Sequence, residues 1–193
     1  MKRILYLTMI GTVALFVFCD AGKKENASDV VNRIILSRHS IRKYKSQQVP
    51  KDILDIIIKS GINAPSAKNN QPWEIRVVQN RDLLEKIKST GGSFYDAPTL
   101  IIIANDTTNP YGEFDCGLLS QNIMLSAESF NLGTCALGNL ARAINNNTPE
   151  AASVREELNF SPGYKTILAI SLGQKDEFPA AKARDTSKVK FLQ

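Results

Sequence analysis

The sequence is poor in the residues that carry most self-contained catalysis. It has one histidine, His39, and three cysteines, Cys19, Cys116 and Cys135. The cysteine spacing fits no common zinc pattern, which argues against a zinc site. No glycine-rich turn joins a strand pattern to a helix pattern, so a dinucleotide-binding fingerprint is absent. No dense Lys/Arg run, zinc finger or RNA-binding aromatic motif appears. The net charge of +5 is therefore weak support for nucleic acid, which we do not expect as a partner. Part of that charge lies at the N-terminus: without Lys2 and Arg3, +5 falls to +3. A mildly basic surface still favours anionic cofactors. No acid, base or nucleophile stands out, and we assign no catalytic residue and no metal ligand.

What is present suits one folded domain. Of the 193 residues, 43% are apolar and 22% charged, ordinary proportions for a globular chain with a sizeable core. Residues 1–19 read as a leader. Met1-Lys2-Arg3 is a short positive start, residues 4–18 are an apolar run, and Cys19 closes it before the polar span 20–28. That is a bacterial export signal in outline. The run is shorter than a comfortable membrane span of about 20 residues. A cysteine at its end points to an exported lipoprotein, anchored through Cys19 on a periplasmic or extracytoplasmic face. Val17 and Phe18 depart from the small residues usual before a lipidated cysteine. Ordinary cleavage near Ala21 and an uncleaved anchor are the alternatives. Residues 20–28 read as a tether, and 29–193 as the domain.

Along the domain, Asp29 can cap a helix through about Leu36, with Val30, Val31, Ile34 and Ile35 on its apolar side. Pro50 suits the first turn of a second helix, which carries Ile53, Leu54, Ile57 and Ile58 at helical spacing. Gly61 is its expected stop. Residues 63–72 form a polar loop. Trp73, Ile75 and Val77 alternate with Glu74 and Arg76, as in a strand with one wet face. Residues 82–88 form a short helix. Residues 99–104 form a strand buried on both faces. The longest helical pattern spans 113–131, with Leu119, Ile123, Ala127 and Phe130 on one stripe. It is central to the core or to a subunit interface. Gly133 is its expected stop. Two short helices, 140–146 and 149–158, precede a buried strand at 166–172. A charged tail begins at Gly173. The composite is α+β. Cys116 and Cys135 sit in apolar surroundings and read as buried free thiols.

The densest polar cluster is Arg38-His39-Ser40-Ile41-Arg42. In extended chain, Arg38, Ser40 and Arg42 share one face, with Ile41 and the ring of His39 on the other. Two guanidiniums and a hydroxyl suit a phosphate. The plain alternative is a basic loop after a helix.

Residues 38–44, together with Pro65-Ser66-Ala67-Lys68-Asn69-Asn70-Gln71-Pro72-Trp73, Leu132-Gly133-Thr134-Cys135-Ala136-Leu137-Gly138 and Lys182-Ala183-Arg184, resemble in order and spacing four signatures of the FMN-dependent nitroreductase family. The resemblance covers roughly residues 30–185. It implies a three-layer α/β/α sandwich, dimeric, with FMN at the interface of a homodimer. Arg38, His39, Ser40 and Arg42 are then the contacts to the FMN phosphate and ribityl chain. Pro65, Ser66, Ala67 and Asn69 reach the flavin from the other subunit. The backbone amides of Leu137 and Gly138 lie near the reactive flavin nitrogen and its ring carbonyl. Lys182 and Arg184 return to the phosphate. Gln71 and Trp73 anchor their loop. The implied activity moves electrons from NAD(P)H, a transient co-substrate, to a nitroaromatic, quinone or related small-molecule acceptor by a ping-pong cycle. A membrane-anchored flavin-binding electron relay without nicotinamide activity, and a reductive dehalogenase or flavin-fragmenting enzyme on the same fold, are the alternatives. The chain departs from longer relatives between Lys88 and Leu100, where only a short segment stands in place of extra helices. The flavin face is expected to be open there.

Overall fold

The computed structural model describes residues 26–192. The leader, Cys19 and residues 20–25 of the tether lie outside the described residues. Four strands form one sheet: β1 (Trp73–Val78), β2 (Thr99–Asp106), β3 (Leu132–Leu137) and β4 (Tyr164–Gln174). Their order is β1-β2-β4-β3, and every neighbouring pair is antiparallel. Among the described residues, six α-helices surround these strands: α1 (Ala27–Ser37), α2 (Lys51–Ile62), α3 (Arg81–Ser89), α4 (Gly112–Ser129), α5 (Gly138–Ile144) and α6 (Pro149–Leu158).

Strand β2 explains the layering. Its β-branched run is buried from Thr99 to Asn105, and successive side chains point to opposite faces. Ile101 and Ile103 enter one core with Leu54 and Ile57 of α2 and Leu119, Ile123 and Ala127 of α4. Leu100 and Ile102 enter a second core with Leu84 and Ile87 of α3, Leu140 and Ile144 of α5, and Val154 and Leu158 of α6. The result is the expected three-layer α/β/α sandwich. Antiparallel sheets often leave one face wet; here helices cover both. Edge strand β1 only partly follows its alternating pattern. Trp73 is buried, but Val77 is 40% exposed. Arg76 acts as a clip: its Nε donates to the Leu158 carbonyl at 2.7 Å and its guanidinium lies 4.5 Å from the Phe160 ring.

Several local expectations are corrected. Asn26, not Asp29, caps α1, its side-chain oxygen accepting the Asp29 N–H at 2.9 Å. Asp29 falls in the first turn, where its charge meets the positive end of the helix. The helix thus begins inside the span read as a tether. The apolar side of α1 is not buried within the chain: Val31, Ile35 and Leu36 are exposed. Helix α2 runs through Gly61 to Ile62. A Cβ at Gly61 would lie 2.5 Å from Ile123 Cγ1, so this glycine permits contact between α2 and α4 and does not stop a helix. After α4 the left-handed turn is made by Asn131 at φ 56°, while Gly133 lies inside β3. Phe130 leaves the buried stripe because it sits at the helix end, where the chain turns away. Cys116 and Cys135 are free and buried, as expected. Burial pushes the Cys116 thiol up to about 12. Among the described residues, no helix is long and apolar enough to cross a membrane.

Gly61→Ala gains helix propensity but forces overlap with Ile123. We expect a net loss of about 1–3 kcal/mol, read as a lower midpoint in urea or thermal unfolding. An unchanged or higher midpoint would show that α2 and α4 can separate without penalty.

Candidate functional site

Helix α1 ends at Ser37, and Arg38 turns to extended backbone with φ −62° and ψ 123°. Residues 40–45 then run along the rim of the sheet. Ser40 bridges Thr134 in parallel, and the Ile41 N–H donates to the Thr134 carbonyl at 2.9 Å. Ile41 is 2% exposed and presses on Gly133, where a Cβ would lie 2.8 Å from it. This seat sends the Ile41 side chain inward and leaves Arg38, Ser40 and Arg42 for the other face. Tyr44 pins the turn from below. Its hydroxyl donates to the Ile41 carbonyl and lies 2.7 Å from Ser171 Oγ.

The chain after β4 closes over this rim. Lys45 N–H donates to the Gln174 carbonyl at 3.1 Å, and Asp176 N–H to the Lys43 carbonyl at 3.0 Å. The Glu177 carboxylate accepts the Arg42 amide N–H. Beneath, Lys175 and Glu128 form an ion pair at 2.9 Å, with side chains only 13% and 10% exposed. Ser37 Oγ donates to the same Glu128 at 3.3 Å, which ties the end of α1 to α4 and β4. The tail then passes through Pro179 and Ala180 and brings Lys182 and Arg184 opposite Arg38, His39, Ser40 and Arg42.

These residues enclose a cleft of about 80 Å³. Four cations, an imidazole and a hydroxyl line it, and no carboxylate does. Arg38 Nη1 is buried without a hydrogen-bond partner among the described residues. A desolvated guanidinium nitrogen with no acceptor is unfavourable, and an oxyanion in the cleft would satisfy it. The volume is well below the roughly 300–1,000 Å³ of a whole-ligand pocket. The cleft therefore suits one anionic group of a larger molecule. His39 belongs to the lining as well, as expected for a cofactor contact. Arg42 also lies over the Tyr95 ring, 5.9 Å from its centroid. Tyr95 belongs to the short connection between α3 and β2, which contains no helix, as expected.

The other candidate residues lie elsewhere. Pro65, Ser66, Ala67 and Asn69 do not line the cleft. Their loop sits at the start of α4, where the Ala67 N–H meets both Asp115 carboxylate oxygens at 3.1 and 3.3 Å. Leu137 ends β3, and Gly138 opens α5. Nothing lies within 4 Å of where a Gly138 Cβ would be. Gly138 borders a separate cavity of about 660 Å³, shared with Asn105, Glu113, Arg142 and Lys165. Within one chain the first motif thus meets the fourth across the cleft and the third along the seam of Ser40 and Ile41 with Thr134 and Gly133, while the second lies apart. Sequence reasoning missed Glu177 and Asp115. Asp115 had a signal: it lies four residues before Leu119 on the buried stripe of α4, where a carboxylate is out of place.

Residues 35–90 and 88–174 match the sequence profile of the Nitroreductase family. A putative NADH dehydrogenase/NAD(P)H nitroreductase of Methanothermobacter thermautotrophicus is 38% identical over 122 residues, 60% of this chain and 63% of that protein. The chain thus spans somewhat less than two thirds of that relative. A protein of the same description from Archaeoglobus fulgidus is 30% identical over 162 residues, 79% of this chain and 90% of that protein. Among solved structures, a nitroreductase with bound FMN from Desulfitobacterium hafniense is similar with a TM-score of 0.78 at 25% identity, covering 85% of this chain and 98% of its own. An FMN-dependent nitroreductase from Clostridium difficile gives 0.70 at 31% identity, covering 83% and 98%.

Burial pushes the Tyr44 phenol above its ordinary value of 10.0. The folded state therefore holds the proton more tightly than the unfolded one. Stability from this group is complete below about pH 10 and is lost as pH rises toward the folded value. Tyr44→Phe should cost about 1–3 kcal/mol at pH 7 and flatten the decline above pH 10 in urea melts. Equal alkaline slopes for the two proteins would contradict the assignment.

Proposed function

The chain belongs to the nitroreductase family, and from that premise we propose an FMN-dependent oxidoreductase that carries electrons from NAD(P)H to nitroaromatic, quinone or related small-molecule acceptors in a ping-pong cycle. The observation that carries the cofactor is the cleft with the buried, unpartnered Arg38 Nη1. A phosphate monoester bears about −1.5 to −2 charges at neutral pH. Arg38, Arg42, Lys182 and Arg184 balance that charge, and the Ser40 hydroxyl adds a neutral donor. His39 contacts the same group and is not assigned a proton-transfer role.

FMN supplies the redox chemistry when bound. The protein's part is binding, orientation and electrostatics. The amides of Leu137 and Gly138 are offered to the flavin edge, where backbone donors stabilise developing negative charge. The open space at the Gly138 Cβ position is consistent with that close approach. Pro65, Ser66, Ala67 and Asn69 do not reach the cleft of their own chain, so a second copy is needed to bring them to the cofactor. The uncovered apolar side of α1, with Val31, Ile35 and Leu36, supports that homodimer. The short connection before β2 leaves acceptor access wide. The names of the archaeal relatives support a nicotinamide donor. Export, with a lipid anchor at Cys19, is part of the same proposal and rests on the residue pattern of 1–19.

Purified protein should be yellow, bleach anaerobically with NADH or NADPH, and regain colour with a nitroaromatic. Arg38→Ala combined with Arg184→Ala should strip FMN while the chain stays folded by circular dichroism. Unchanged flavin stoichiometry would remove the cleft as the phosphate site. Mass spectrometry of native material should show a lipid on Cys19; an intact N-terminus would refute export processing.

A further inference from the structure

We infer that Asp115 is a positioning residue for the flavin site, its buried carboxylate holding the 65–71 loop as a rigid polar prong directed at a second copy's cofactor. The inference rests on the FMN reading above, because the prong needs a flavin to meet.

Asp115 is 1% exposed. A carboxylate in such a place is costly unless it is paired or hydrogen-bonded. No ion pair to Asp115 is found among the described residues. Among those residues its side chain accepts from the Ala67 N–H, at 3.1 and 3.3 Å. The first turn of α4 favours the negative charge, and a charged acceptor gives a stronger bond than a neutral one.

The sheet sets where Asp115 stands. A Cβ at Gly112 would lie 2.8 Å from Asn105 Nδ2, so the start of α4 is packed directly on the end of β2. The other end of the loop is held by the same strand, with Asp106 N–H donating to the Pro72 carbonyl at 3.0 Å. Trp73 is buried just beyond. Both feet of the loop are therefore fastened to the rim of β2 and α4.

Between the feet, Lys68, Asn69, Asn70 and Gln71 are all exposed. Lys68, Asn69 and Gln71 have φ of 55°, 56° and 48°. Residues with a Cβ adopt this region at a cost, and such strain persists only where surrounding structure imposes it. Internal bonds hold the shape: Gln71 N–H donates to Ser66 Oγ at 3.0 Å, and Asn69 N–H to the Ser66 carbonyl at 2.9 Å. The tip is exposed among the described residues, so the burial that would offset its strain is to be found in a second copy. Without the Asp115 hold, Ala67 loses its acceptor and the prong can relax toward ordinary backbone.

The test compares wild type with Asp115→Ala and Asp115→Asn. FMN affinity is measured by titrating apoprotein, and trypsin cleavage after Lys68 is followed by mass spectrometry with and without FMN. In wild type, FMN should protect Lys68. In Asp115→Ala, cleavage of the apoprotein should quicken and FMN should bind roughly tenfold or more weakly, with kcat at saturating FMN nearly unchanged. Asp115→Asn keeps an acceptor oxygen and should recover most of the affinity. If the alanine variant does not fold, Asp115→Leu fills the buried volume and carries the same comparison. Wild-type FMN affinity in a folded alanine or leucine variant overturns the inference, whether or not Lys68 cleavage changes. A wild-type protein that takes up no FMN instead overturns the cofactor reading, and this role with it.

Discussion

Like charges brought together repel, and the cleft depends on a backbone seam that holds them together anyway. Residues 40–45 are fastened on one side to β3 and on the other to the end of β4. Each net hydrogen bond contributes about 0.5–1.5 kcal/mol. Two unit charges 4 Å apart repel by about 1 kcal/mol in water and about 4 near a protein surface. The seam opposes that repulsion, and the inward seat of Ile41 against Gly133 adds burial to it. What remains is a cleft short of negative charge, with one guanidinium nitrogen left without an acceptor. That is an arrangement an oxyanion would satisfy.

The same economy of covered and uncovered surface runs through the rest of the molecule. Both faces of the sheet are packed, by α2 and α4 on one side and by α3, α5 and α6 on the other. Helix α1 stands apart: its C-terminal end is tied in through Ser37 and Glu128, while its apolar side faces outward. The 68–71 tip also projects from its chain. Two features that a lone chain leaves without partners are thus those that a second copy would use.

Much was legible in the sequence because periodicity reports burial. The run from Thr99 to Ala104 announced a strand covered on both faces, and β2 is one. The cations of residues 38–42 and 182–184 were linked in the sequence only through the family resemblance; by themselves they read equally as a basic loop and a charged tail. Their convergence needed the tail to double back along the rim, which no local pattern records. Glycine was the most misleading signal. Gly61 and Gly133 read as helix stops, since a local reading knows only glycine's backbone freedom. Both are instead places where another side chain, Ile123 or Ile41, occupies the volume of a Cβ.

The sequence by itself determined the α+β alternation, the buried strands β2 and β4 though not β3, the long central helix and the chemical character of the residues that line the cleft. Those follow from side-chain spacing and charge, which are properties of neighbouring positions. Only the tertiary structure decided that Glu177 is engaged by the Arg42 amide, that Asp115 grips the loop at Ala67, that the first motif is seated on the third through Thr134, and that the second lies away from the cleft within one chain. Those are contacts between residues tens of positions apart, and they exist only once the sheet and its helices have set the distances.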